Sequence, residues 1–119
     1  MDKVRRTQLE AAGVDVDEAL GRFMDNEALM MKFLLRFPGD GNFPLLRRAM
    51  AAGDIQGAFE AAHTLKGVTG NLSLKGFYRL ISALVEDLRG EDYDTASGKM
   101  AELEERYAHI TAALEELAQ

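Results

Sequence analysis

The chain has 119 residues, 47 % hydrophobic and 29 % charged, enough apolar material for one soluble domain and too little length for two. The absence of Cys excludes disulfide frameworks, cysteine zinc sites, thiol nucleophiles and iron–sulfur clusters. The net charge of −6 resides in residues 91–119, with two basic and eight acidic side chains, while residues 1–53 (eight and eight) and 54–90 (four and four) balance. No segment is net positive, which speaks against a nucleic-acid binder. The start, Met1-Asp2-Lys3-Val4-Arg5-Arg6, is followed by no apolar run of the secretory kind. The longest apolar cluster, Glu27 to Phe37, is broken by Lys32 and Arg36, short of the ~20 residues that cross a bilayer. These features imply a cytoplasmic protein, or a cytoplasmic piece of a larger one, with no membrane partner.

Helical periodicity runs through almost the whole chain. A short helix is predicted from Val4 to Ala12, stopping at Gly13, and Asp15 with Glu18 forms a capping pair for a second through Ala19, Leu20 and Phe23. Asn26 caps a third, with the apolar set Leu29, Met30, Phe33, Leu34 and Phe37, broken by residues 38–42. Pro44 suits the first turn of a fourth helix, Gly53 its left-handed end, and Asp54 the cap of a fifth reaching Leu72. Ser73 is expected to cap the sixth, whose stripe is Phe77, Leu80, Ile81, Leu84, Val85 and Leu88, ended by Gly90. The last is expected to run unbroken from Asp94 to Leu117 along Ala96, Met100, Leu103, Tyr107, Ile110, Leu114 and Leu117. Glu102, Glu104, Glu105, Glu115 and Glu116 avoid that stripe and should face water, as should His109, paired with Glu105. The sequence thus predicts a single all-α domain: an antiparallel four-helix bundle over about 43–117, with short additional N-terminal helices over about 1–40.

The fifth helix contains a break in the ordinary pattern. At 100° per residue, Ile55, Ala58, Ala62, Leu65, Thr69 and Leu72 make one core face, while Gln56, His63, Gly67 and Gly70 share a narrow stripe elsewhere. Lys66 and Glu60 flank that stripe. Each mid-helix glycine costs about 0.5–1 kcal/mol relative to alanine, and an exposed position gains no packing in return. Gly67 and Gly70 are i+4 and i+7 from His63, so their missing side chains should bare the imidazole and admit another protein. A metal site would need more ligands, and acid–base catalysis would need a pocket. Neutral imidazole, with an ordinary pKa of about 6.5, is a nucleophile near pH 7, and Lys66 can offset the charge of a phosphoryl group.

Ala62-His63-Thr64-Leu65-Lys66-Gly67, followed by Asn71-Leu72, resembles the signature of histidine-containing phosphotransfer (HPt) domains of two-component phosphorelays. The close resemblance covers about residues 54–90. It implies that His63 accepts a phosphoryl group, typically through Nε2, from an aspartyl phosphate on a receiver domain and passes it to another. Lys66 would steady the group and Gly67 would keep the site open. Partners would be receiver domains of response regulators or a hybrid histidine kinase, meeting a monomer at a surface including Gln56, Glu60, Gly70, Asn71 and Lys75. The chain would have no ATP-binding, hydrolytic, cofactor or metal site, and Mg2+ would belong to the receiver.

Two positions depart from the family pattern. Ser73 stands where glycine is frequent, and Val85 stands where Gln or Glu often orients the imidazole. Glu86 or a backbone carbonyl is expected to replace that group, or else the ring is less fixed. A phosphate-free scaffold module and the phosphoryl-accepting domain of a chemotaxis-type kinase are the competing readings.

Overall fold

The computed structural model describes residues 1–119 as eight α-helices and one 3₁₀ turn. Local chemistry sets most boundaries. The Asp2 carboxylate accepts from the Val4 amide to begin α1 (Lys3–Ala11), and the chain leaves it through left-handed Gly13 at φ +96°. Asp15 caps α2 (Val16–Arg22) and Asn26 caps α3 (Glu27–Arg36), each side chain accepting from the amide three residues on. A 3₁₀ turn over Phe37–Gly39 leads to α4 (Asn42–Ala51). Left-handed Gly53 and the Asp54 cap then turn the chain sharply into α5 (Ile55–Asn71). α6 (Lys75–Arg89), α7 (Tyr93–Gly98) and α8 (Met100–Leu117) complete the chain.

The bundle is formed by α4, α5, α6 and α8. α5 packs between α4 and α6, and α6 in turn packs on α8. The ring closes where Phe43 of α4 stacks on Tyr107 of α8, centroids 4.2 Å apart, beside Phe37 and Phe77. Across the same junction Arg47 donates two hydrogen bonds to Glu104, at 2.6 and 2.7 Å. Phe43, Phe77, Leu65, Ile81 and Leu84 are essentially fully buried. Burial on this scale contributes about 1.5–3 kcal/mol per large side chain. No helix is long and apolar enough to cross a membrane.

The three N-terminal helices pack on this bundle. α1 and α3 contact α8, and the α1–α2 connection meets the α5–α6 turn, where the Asp15 amide donates to the Ser73 carbonyl at 2.9 Å.

Six expectations are corrected. In α3 the buried set is Met30, Met31 and Leu34, while Leu29 and Phe33 are 38 % and 40 % exposed. That helix is apolar on nearly every side, so periodicity could not choose the face turned to α8. The last helix is not continuous. It breaks at Lys99, whose amide bonds Ala96 in a tight turn after Gly98 and whose ammonium is held by Asp87 of α6. Ser73 caps nothing. It is buried at φ +55°, and its hydroxyl donates to Glu18 at 3.0 Å. Glu18 is therefore spent across space rather than returning to the Asp15 amide as a reciprocal cap would require. Glu104 joins α8 to α4 instead of standing free in water, and exposed His109 has its Nε2 2.8 Å from the Ala11 carbonyl at the end of α1, not an ion pair with Glu105.

Candidate functional site

α5 is a two-faced helix. Ala58, Ala61, Ala62, Leu65 and Thr69 are buried, and the small alanines let α4 and α6 approach closely. His63, Thr64, Gly67 and Asn71 are exposed on the other side. The His63 ring lies 5.8 Å from the Phe59 ring one turn earlier, tilted by 30°, and the Arg89 guanidinium sits 5.1 Å from the centre of the same phenyl ring. Neither ring nitrogen of His63 has a hydrogen-bond partner. Val85 is wholly buried and apolar, and Glu86 accepts from Arg89 at 3.3 Å, so neither supplies an orienting bond. Packing against Phe59, an i−4 neighbour that helical spacing could have identified, stands in its place.

The two glycines have different roles. A Cβ at Gly67 would meet nothing within 4 Å, so the space beside the imidazole is open. A Cβ at Gly70 would come 3.1 Å from the Tyr78 ring of α6. Gly70 therefore seats Tyr78, and the expectation that it bares the imidazole in the same way as Gly67 is corrected.

His63, Lys66, Gly67, Gly70, Asn71 and Lys75 share one open cleft of about 590 Å³ between α2, α5 and α6. Lys66 is half-buried and has no carboxylate within salt-bridge distance. Lys75 is engaged, its ammonium 2.9 Å from Glu18 and 3.4 Å from Asp15. Gln56 and Glu60 lie outside the cleft toward the start of α5, bonded to each other at 3.1 Å. Two further cations line the cleft that no motif indicated: Arg22, 3.5 Å from Glu18, and Arg79 on α6. Arg22 is far from the motif in sequence and reaches it only because α2 folds back onto the α5–α6 turn.

Glu18 is the one carboxylate in the cleft wall. Hydrogen bonds from Lys75 and then Ser73 hold it below the usual carboxylate range, with Arg22 adding to the effect. Reciprocally, Glu18 and then Asp15 raise Lys75 above the ordinary lysine value. The acid is thus neutralised by its neighbours, and the cleft presents Lys66 and Arg79 uncompensated. This arrangement suits a dianionic group beside a nucleophilic imidazole.

The fold is thus an all-helical bundle that displays an unpaired imidazole on the exposed face of a central helix, beside an open cleft. The chain belongs to the Hpt domain family, whose model matches residues 40–119. It is accordingly a histidine phosphotransfer domain of two-component signalling, a class that interacts with receiver domains and kinases. The match leaves α1, α2, α3 and the 3₁₀ turn outside it. No curated protein and no solved structure matches the chain.

Proposed function

We propose that His63 is the phosphoryl acceptor and that the chain carries the group between receiver domains. The observation supporting this most strongly is an exposed imidazole with both nitrogens unpaired, beside the open space at Gly67 and the uncompensated Lys66. The Nε2 lone pair of neutral His63 attacks the phosphorus of a receiver's aspartyl phosphate. A P–N bond forms, the acyl-phosphate P–O bond breaks, and the electron pair leaves with the aspartate carboxylate. The proton on Nδ1 stays with the ring or passes to water.

Lys66 offsets charge on the phosphoryl oxygens, and Gly67 admits the receiver's backbone. Transfer onward reverses these steps with a second receiver aspartate. The receiver contributes the Mg2+, and the chain itself supplies neither ATP chemistry nor hydrolysis. Partners are receivers of response regulators or of a hybrid histidine kinase. Incubation with a phosphorylated receiver domain is expected to leave an acid-labile, base-stable phosphate on the chain, and His63→Gln to abolish it. Undiminished labelling of that variant would overturn the assignment.

A further inference from the structure

Four cations line the His63 cleft, and α2 places one carboxylate, Glu18, among them. Lys66 on α5 and Arg79 on α6 have no acidic partner, whereas Lys75 and Arg22 both face Glu18, at 2.9 and 3.5 Å. The Ser73 hydroxyl donates to the same carboxylate at 3.0 Å. Hydrogen bonds from Lys75 and then Ser73 hold Glu18 below the usual carboxylate range, so it stays ionised at neutral pH.

The fold does not need this carboxylate to seat α2. Leu9, Val14, Val16 and Ala19 are buried in the core, and the Asp15 amide donates to the Ser73 carbonyl at 2.9 Å. Asp15 also reaches Lys75, at 3.4 Å, without lining the cleft. Glu18, Lys75 and Arg22 are each a third or more exposed, and ion pairs of that kind add little stability. A carboxylate in a cleft that receives a dianion, by contrast, opposes the incoming charge. It also occupies two cations otherwise free to meet that charge.

We infer that Glu18 is a positioning residue for the phosphoryl site: by holding Lys75 and Arg22 it limits the positive charge that phosphorylated His63 meets, and so keeps the group transferable instead of trapped. The inference rests on the phosphocarrier reading of His63. A carrier releases its group to a second receiver as readily as it accepts one from the first, and four unopposed cations around a dianion bias it toward retention. Glu18 and Arg22 lie in α2, outside the family-matched residues, so an N-terminal helix sets the field at a histidine that lies within them.

The test labels the full chain with phosphoramidate, a small donor that needs no partner, and follows ionisation of the phosphoryl group by phosphorus NMR as pH is varied. Removing a nearby anion lowers the pH at which that group loses its last proton. Glu18→Gln keeps an acceptor for Ser73 and is expected to lower the midpoint by about 0.5 pH unit, a threefold change typical of a screened surface charge. Arg22→Gln takes a cation from the same contact and is expected to raise it. Glu102→Gln removes the same charge beside a different cleft, on α8, and should leave it in place. At equilibrium with a receiver domain, the Glu18→Gln chain should hold about threefold more of the phosphoryl group than the parent.

Coincident midpoints for Glu18→Gln and the parent would overturn the inference. Shifts of Glu18→Gln and Arg22→Gln in one direction would also do so, since loosening of α2 and not charge would then be acting. So would an equal shift from Glu102→Gln, which would assign the effect to the net charge of the chain. Each of these results leaves His63 in place as the acceptor. A parent chain that phosphoramidate fails to label on His63 would instead contradict the acceptor reading, and the inference with it.

Discussion

The α4–α8 junction and the His63 cleft both carry charge, yet they treat it oppositely. At the junction Arg47 is matched by Glu104 through two short hydrogen bonds, and Phe43, Phe37, Phe77 and Tyr107 are packed ring against ring. In the cleft Lys66 and Arg79 have no acid, the imidazole has no hydrogen bond, and the space at Gly67 is vacant. Charges across the junction are paired, whereas two of the four cations lining the cleft, Lys66 and Arg79, are left over. The distinction separates stability from transfer, and substitutions in the two regions should separate them too.

The largest stability effect belongs to the junction. Phe43→Ala is expected to cost about 3–5 kcal/mol in urea unfolding, as for other wholly buried phenyl groups. A cost below about 1 kcal/mol would show that the aromatic cluster does not close the bundle. In the cleft the pattern inverts. Lys66→Gln should slow transfer to His63 roughly tenfold to a hundredfold, the value of one charge-assisted contact, with the unfolding midpoint unchanged. Transfer at the parental rate would remove Lys66 from the mechanism.

The glycines sharpen the comparison at smaller scale. Gly67→Ala should stabilise the chain by about 0.5–1 kcal/mol, since the added methyl meets nothing and helix propensity improves. Gly70→Ala should give no such gain, because Tyr78 must yield. Gly67→Gln should keep the fold and block transfer, and unaffected transfer would refute the open-space argument.

The smallest expected effect concerns the latch of α2 on the α5–α6 turn. Because Glu18 is lowered in the folded chain, its contribution is present above its ordinary value of 4.5 and is lost as pH falls through the lower folded value. Lys75, raised above 10.5, contributes below that value and is lost as pH rises through its folded pKa. The Ser73 amide resonance should report the acid limb, and titration of Glu18 at or above 4.5 would contradict the latch.

Much of this was legible locally. Asp15, Asn26 and Asp54 are caps whose side chains act within three residues, and Gly13 and Gly53 are left-handed turns, so sequence spacing places them. The exposure of His63 and the open space at Gly67 were legible because an unfavourable glycine on an exposed helical face needs a reason. The misread features depend on contacts between distant segments. Ser73 has a good capping side chain, but Glu18 claims its hydroxyl. Gly70 looked like a second clearing because Tyr78 was not yet beside it. Lys99 breaks the last helix where Asp87 holds it, and Arg22 reaches the cleft only through the folding back of α2.

Phosphoryl acceptance is assigned to one imidazole, and the chain has only two, His63 and His109. Mass-spectrometric mapping of the chain after labelling by a phosphorylated receiver, under alkaline conditions that preserve phosphohistidine, tests it most directly. Phosphate is expected on His63 alone; phosphate on His109, or on no histidine, would overturn the assignment.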